Sequence, residues 1–112
     1  MRIAPGATVS NSIILDDTVI EAGAFVDKCI VDKKCLVGEE AKVGFGDDNT
    51  PNQALPHALN TGLTLIGRDS VLPKGVVLGR NVTVHAGTTA DDSVYKKKKK
   101  SIASGSVIGK PN

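Results

Sequence analysis

The chain has 112 residues, with 14 basic and 12 acidic side chains and a formal charge of +2 at pH 7. This length fits one domain, and with no Trp, one Tyr and two Phe the core has to be built from aliphatic side chains. Five of the basic residues form a single run, and without that run nine basic side chains stand against 12 acidic ones, so the chain lacks the distributed basic surface of a nucleic-acid-binding protein.

An aliphatic residue returns at intervals of six, starting immediately after Met1 and Arg2, and a small or β-branched residue follows it four places later. The segment VGEEAK at 37–42 is the clearest copy. Helices need apolar residues at three- and four-residue spacing, so this period favours strands and a repeat architecture. The aliphatic positions are Ile3, Val9, Ile14, Ile20, Val26, Val31, Val37, Val43, Ile66, Leu72, Leu78, Val84, Ile102 and Ile108.

Two intervals in the first part of the chain are shorter than six. Val9 to Ile14 and Val26 to Val31 are each five residues, and the second shortening comes 17 residues after the first. Three hexads therefore make one coil of 17 residues, which places Ile20 directly over Val37. Parallel pairing between successive coils would then form a three-sided prism lined by aliphatic columns. The predicted fold is all-β, a parallel β-helix of hexapeptide repeats.

Small residues are expected to form columns of their own, with Ser12 over Cys29 and Thr18 over Cys35. The two cysteines would then lie on adjacent sides of a coil and point in different directions. Packing as small buried residues is therefore favoured over metal ligation. With no signal peptide and no apolar stretch near the ~20 residues of a membrane span, the chain is expected to be cytoplasmic, without a membrane partner.

Two segments break the register. The first, at about 46–64, is rich in Asn, Asp and Pro and is predicted to be a loop that projects from one corner. Its acidic pair, Asp47 and Asp48, is interpreted as a solvated turn, since no further carboxylates stand at metal-ligand spacing. The second break, at 90–100, precedes a last short coil from Ile102 to Lys110.

The second break contains the only dense charge in the chain. Its ammonium groups could bind a phosphorylated effector such as a sugar bisphosphate, because clustered cations raise the local anion concentration. The alternative is a flexible solvated connector, which is what most charge runs are and which the pattern favours. The candidate effector residues are Lys96, Lys97, Lys98, Lys99 and Lys100.

The segment SIILDDTVIEAGAFVDKCIVDKKCLVGEEAKVG at 12–44 resembles the carboxy-terminal β-helix of the sugar nucleotidyltransferases, in particular glucose-1-phosphate adenylyltransferase. The following segment at 46–81 is similar to an insertion and a continued helix in some bacterial members. The resemblance covers about 3–84. It implies a left-handed helix, although most parallel crossovers are right-handed.

The resemblance implies that the parent enzyme joins ATP and glucose 1-phosphate to give ADP-glucose and pyrophosphate, in glycogen or starch synthesis. Catalysis in that family belongs to an amino-terminal domain with a Gly-rich phosphate loop, and no such loop follows a strand here. Residues 1–112 are therefore expected to be one noncatalytic domain from the carboxy-terminal part of a longer enzyme, without a cofactor or metal. Its expected partners are the catalytic domain, further subunits of a homo-oligomer and a possible phosphorylated effector.

Two alternatives stay open. In acyltransferases of the hexapeptide type, which use acetyl-CoA, a histidine acts as general base, and His57 or His85 could do so here. Ordinary polar roles in the loop and on the coil surface are favoured for both. A γ-type carbonic anhydrase would need three zinc-binding histidines, and the chain has two. The other alternative is a structural scaffold for oligomerisation.

Overall fold

The computed structural model describes residues 2–46, 48–54, 57, 61–89, 95 and 101–109. These residues form short strands of two or three residues that pair only in parallel. The first sheet is β1 (Arg2–Ile3), β4 (Val19–Ile20), β7 (Leu36–Val37) and β10 (Val71–Leu72). The second sheet is β2 (Thr8–Ser10), β5 (Phe25–Asp27), β8 (Lys42–Val43), β11 (Val77–Leu78) and β13 (Ser101–Ile102). The third sheet is β3 (Ile13–Ile14), β6 (Cys29–Val31), β9 (Thr64–Ile66), β12 (Thr83–Val84) and β14 (Val107–Ile108).

From β1 to β12 the strands visit the three sheets in rotation, so that β1, β4, β7 and β10 lie one above another. After the second break, β13 and β14 add a fifth strand to the second and third sheets. A chain that returns to the same side after three strands winds as a three-sided coil. The outer surfaces of the three sheets are called here the first, second and third faces. The prediction of a hexapeptide-repeat parallel β-helix is confirmed.

The predicted columns are the core of the helix. Ile20 pairs with Ile3 on one side and Val37 on the other, and Val37 pairs with Leu72. In the third sheet Ile14, Val31 and Ile66 are successive partners. Every repeat aliphatic from Ile20 onwards is buried, whereas Ile3 is exposed and both Val9 and Ile14 are partly buried against the core.

The corners are made by residues in the left-handed region of backbone space. The corner between the first and second sheets uses Gly6, Gly23, Glu40 and Gly75 in successive coils, with φ between 58° and 82°. The two five-residue intervals span the next corner, between the second and third sheets. There Asn11 and Lys28 each have a φ of 51°. Asn and Gly adopt this conformation readily, whereas Glu and Lys do so at a cost.

The first break leaves the coil between β8 and β9, at the corner between the second and third sheets. Its described part, 48–54, lies back along the same corner of the two following coils. The Gln53 amide donates to the Gly105 carbonyl at 2.9 Å, and the Asn52 side-chain amide donates to the Asn81 carbonyl at 2.8 Å. The segment starts at a corner, as predicted, and its described part packs against the prism.

The second break lies between β12 and β13. Only Tyr95 is described between Ala90 and Lys100, and its side chain is buried. The last short coil follows: β13 pairs with β11, and β14 pairs with β12. This agrees with the prediction of a terminal coil beginning at Ile102.

Candidate functional site

The third face carries a cleft of about 360 Å³. Its floor is made by the outward residues of three neighbouring strands, Ile30 in β6, Leu65 in β9 and Thr83 in β12, which are half-buried. They face outwards because strand residues alternate between the two sides of a sheet and their neighbours Val31, Ile66 and Val84 fill the core. The volume lies within the range of small-ligand pockets.

Gly67 makes the central depression of the cleft. It occupies the position after the inward Ile66, in register with Asp32 on one side and His85 on the other. A Cβ at Gly67 would lie 2.5 Å from the amide nitrogen of Ala86 and 2.8 Å from the Val84 carbonyl oxygen. Since both atoms belong to the backbone of the next coil, only glycine fits there, and a gap remains between the Asp32 and His85 side chains.

Asp32 and His85 are the ionisable groups at the rim of the cleft. One carboxylate oxygen of Asp32 accepts a hydrogen bond from the Lys33 amide at 2.7 Å. The His85 backbone is held by two hydrogen bonds: its N–H donates to the Ile108 carbonyl at 2.8 Å, and the Thr88 hydroxyl donates to the His85 carbonyl at 2.8 Å. The cleft thus combines an aliphatic floor with a polar rim, an arrangement suited to binding an apolar group.

The first break supplies one wall of the cleft through Ala54. The Ala54 amide donates to the Asn52 side-chain oxygen at 2.9 Å, and the Asn52 amide group reaches the Asn81 carbonyl. Asn81 in turn donates to the carbonyls of Asn49 and Thr50, both at 3.1 Å, and its side-chain oxygen accepts from the Gly62 amide at 2.8 Å. Residues 49–54, Gly62 and Asn81 are called here the asparagine clamp, and they fix the wall on the prism.

Both cysteines are free and buried. Burial raises the pKa of the Cys29 thiol from 9.0 to about 12, and its sulfur donates to the Asp27 carbonyl at 3.1 Å. Burial also raises the pKa of the Cys35 thiol, whose sulfur contacts the Gly67 carbonyl at 3.1 Å. Their backbone amides donate to Ser12 and Thr18, the predicted column neighbours. Thiols held protonated in this way are structural rather than nucleophilic.

A second surface feature lies on the second face. The rings of Phe25 and Phe45 meet edge to face with centroids 5.9 Å apart, and the Lys42 ammonium stands 4.7 Å from the Phe45 centroid. Phe45 is nevertheless 44% exposed. The three side chains satisfy one another through aromatic and cation–π contacts, so they are interpreted as local packing.

Of the residues singled out in the sequence, the structure describes Asp48, His57 and His85. Lys96 to Lys100 and Asp47 lie outside the described residues. The Asp48 carboxylate accepts from the Thr50 hydroxyl at 2.6 Å and the Thr50 amide at 3.0 Å, and these bonds lower the pKa of Asp48. At Asp48, which is exposed, this agrees with the predicted solvated turn. His57 is exposed, whereas His85 lies at the cleft.

Two searches within the described ranges gave negative results. No group of three or more His, Cys, Asp or Glu side chains there could hold a metal ion. In the same part of the chain, no helix is long and apolar enough to cross a membrane.

The sequence pattern did not reveal the cleft itself. In the sequence Asp32 and Gly67 belong to no motif that marks a binding site. The sequence does contain one signal of the cleft. The position after the inward aliphatic is Gly67 in one coil, and the equivalent position in the neighbouring coils is Asp32 or His85. The contribution of Ala54 could not be seen, since it depends on the clamp bond between Asn52 and Asn81, which are 29 residues apart.

Comparison with known proteins gives one family and two relatives. The profile of the GlmU-like, C-terminal hexapeptide family matches residues 1–66. The glucose-1-phosphate adenylyltransferase of Thermomicrobium roseum is 53% identical over 74 residues, which are 66% of this chain and 17% of that protein. The enzyme of the same name from Acetivibrio thermocellus is 33% identical over 90 residues, which are 80% of this chain and 21% of that protein. The chain spans about a fifth of the length of these relatives, and no solved structure gives a significant match.

Proposed function

This chain belongs to the GlmU-like, C-terminal hexapeptide family, and from that membership we propose that it is the carboxy-terminal β-helix of a glucose-1-phosphate adenylyltransferase. The complete enzyme would convert ATP and glucose 1-phosphate into ADP-glucose and pyrophosphate, in a cytoplasmic route to glycogen or starch. Residues 1–112 would form its noncatalytic assembly and regulatory domain.

One observation carries the proposal. The chain is 53% identical to a glucose-1-phosphate adenylyltransferase over 74 residues, yet those residues make up 17% of that enzyme. Such identity over 74 residues is far more specific than the repeat alone, since hexapeptide repeats occur in unrelated enzymes. The short match supports a division of labour in which another domain binds the nucleotide and transfers the adenylyl group.

The structure is suited to this role because its regular faces are rigid. Parallel backbone pairing runs through all three sheets, and the core aliphatics form continuous columns. Flat sheet surfaces of this kind can hold a neighbouring domain or subunit in a fixed orientation. We therefore include a homo-oligomer and contact with the catalytic domain in the proposal.

The test compares pyrophosphorolysis of ADP-glucose by the 112-residue chain and by the full-length polypeptide that contains it. We expect no activity from the chain alone and activity from the full-length polypeptide. Turnover by the purified chain, or a full-length polypeptide without adenylyltransferase activity, would contradict the proposal. Calorimetric titration of the chain with acetyl-CoA separates it from the acyltransferase alternative, for which binding heat is expected.

The regulatory part of the proposal concerns the lysine run at 96–100. Five adjacent ammonium groups could bind a phosphorylated effector, and the alternative is a solvated connector. Replacing all five with Gln in the full-length enzyme distinguishes these roles. An effector site predicts weaker activation or inhibition by a sugar bisphosphate at unchanged basal activity, whereas a connector predicts no change in either.

A further inference from the structure

We propose that the cleft on the third face binds a small organic cation, a molecule with one protonated amine and an apolar body about the size of a phenyl ring. This goes beyond the proposed function, because it assigns a ligand site to the residues of this chain itself. Three features of the cleft carry it: an aliphatic floor, a carboxylate at the rim, and a gap above Gly67.

The floor of the cleft sets the apolar part of the ligand. Ile30 and Leu65 are partners in register, and both side chains are half-buried on the outer side of the sheet. Ala54 adds an apolar wall at one side. A hydrocarbon group lying on this floor would remove further aliphatic surface from water. The volume of about 360 Å³ is near the lower end of the range for small-molecule sites, so the ligand is small.

The carboxylate of Asp32 supplies the charge to which an ammonium group would bind. One of its oxygens accepts the Lys33 amide at 2.7 Å, and the described residues make no other hydrogen bond to it. The ion pair in the described part of the chain joins Arg68 to Asp69 at 3.7 Å. Among these residues Asp32 therefore has no cation as a partner. Beside an aliphatic surface, a charge-assisted hydrogen bond to its carboxylate is stronger than in open water.

The gap above Gly67 gives a ligand access to this carboxylate. Gly67 stands in register between Asp32 and His85, whose backbones are therefore about 10 Å apart, two strand spacings. A Cβ at Gly67 would lie 2.5 Å from the Ala86 amide nitrogen, so this position stays without a side chain and the gap stays open. His85 closes the opposite side, where a neutral imidazole offers a second hydrogen-bond acceptor.

A second groove, on the first face, also contains carboxylates but does not suit this ligand. Its lining includes Glu21 and Glu39 together with Arg2. The Arg2 guanidinium would repel an ammonium group placed among these carboxylates. None of the described residues that line the third-face cleft is Lys or Arg. Charge complementarity therefore favours the third-face cleft for an organic cation.

The test titrates the 112-residue chain with 2-phenylethylamine and follows the backbone amides by two-dimensional NMR. Two further ligands are controls with a similar apolar body: 2-phenylethanol has no charge, and 3-phenylpropionate has the opposite charge. We expect a Kd of about 1 mM for the amine, as is reasonable for so small a ligand. The alcohol and the acid should bind at least about tenfold more weakly. The largest shifts should occur at the amides of Gly67 and His85.

Two pairs of variants locate the site. Asp32→Asn keeps an acceptor for the Lys33 amide but removes the charge, so amine binding should weaken about tenfold while binding of the alcohol stays the same. Asp69→Asn, at an exposed carboxylate on the adjacent corner, should leave both unchanged. Leu65→Ala shortens the floor and should weaken both ligands about threefold. Val71→Ala, at an outward half-buried aliphatic on the first face, should have no effect.

Several results would overturn the proposal. Equal affinity for the amine and the alcohol would mean that the cleft recognises no charge. Shifts centred on Glu21 and Glu39 would place the amine in the first-face groove. Equal weakening by Asp32→Asn and Asp69→Asn would mean diffuse attraction to the surface, and no binding of the amine in the millimolar range would remove the site. The comparison of the three ligands uses the parent chain, so it decides even where a variant does not fold.

Discussion

Cys29 shows how burial at a single position sets chemistry and pH dependence. Its thiol has a pKa of about 12 in the folded chain against 9.0 outside it, chiefly because burial disfavours the thiolate. The unfolded chain therefore loses a proton near pH 9 that the folded chain retains. The contribution of Cys29 to the unfolding free energy is therefore fully present below pH 9 and is lost progressively as the pH rises towards 12.

This predicts a loss of folding stability at alkaline pH that is caused by the Cys29 thiol. Between pH 8 and pH 10, the unfolding free energy should fall by about 1.4 kcal/mol through Cys29 alone. Urea unfolding of the chain and of Cys29→Ala at both pH values measures this contribution. The variant should be less stable throughout but should lose less on going to pH 10, since all other titrating groups are common to both. Equal losses would mean that Cys29 ionises in the folded chain.

Glu40 is a residue whose backbone conformation suits another amino acid. It has a φ of 58° at a corner where Gly6, Gly23 and Gly75 occupy the other coils. We expect Glu40→Gly to stabilise the chain by up to about 1 kcal/mol, because relief of the left-handed strain exceeds the entropic cost of glycine. The adjacent exposed Glu39 has no positive φ, so Glu39→Gly should destabilise by about 0.5–1 kcal/mol. Thermal unfolding of both variants gives the comparison, and the same sign for both would refute the strain.

At the scale of elements, the asparagine clamp joins the first break to the last two coils. The Asn81 side chain makes three hydrogen bonds to backbone groups of the break. Asn81→Gly removes them while keeping a residue that tolerates the φ of 59°. We expect a loss of about 2–4 kcal/mol, since buried backbone groups are left unsatisfied, and faster amide exchange at Gln53 and Gly62.

The control for this variant lies at the same corner of the first coil. Asn11 has a φ of 51° and is exposed, with one side-chain hydrogen bond to Asp27 at 3.2 Å. Asn11→Gly should change stability by less than about 0.5 kcal/mol. If exchange at Gln53 and Gly62 were the same in Asn81→Gly as in the parent chain, the break would be held by other contacts.

The elements also show which parts of the fold the sequence could predict. The columns through Ile20 and Val31 were predictable because the hexad period and the 17-residue shortening act locally and repeat. The packing of 48–54 was not, because the break pairs with residues about 30 positions away through side-chain amides that have no period. The cleft was missed for the same reason, since its wall depends on that packing. The role of 96–100 stays a prediction.

At the scale of the whole molecule, the described residues form a prism whose interior is mainly aliphatic, with the Tyr95 side chain also in the core. The interior needs little aromatic packing because each aliphatic in the middle of a column has an equivalent partner in the coils above and below. The three outer faces carry the alternate residues of the same strands. Both depend on one physical feature, the alternation of inward and outward side chains along every strand.

The most direct test of this feature places a carboxylate at adjacent positions of β6. Val31 is fully buried in the core column, whereas Ile30 faces outwards on the third face. An unpaired carboxylate in the core is costly, so Val31→Asp should destabilise the 112-residue chain by more than about 4 kcal/mol or prevent folding. Ile30→Asp, with its carboxylate in water, should cost about 1 kcal/mol or less. Thermal unfolding of the two variants decides: a melting temperature for Val31→Asp at or above that of Ile30→Asp would contradict the inward aliphatic columns.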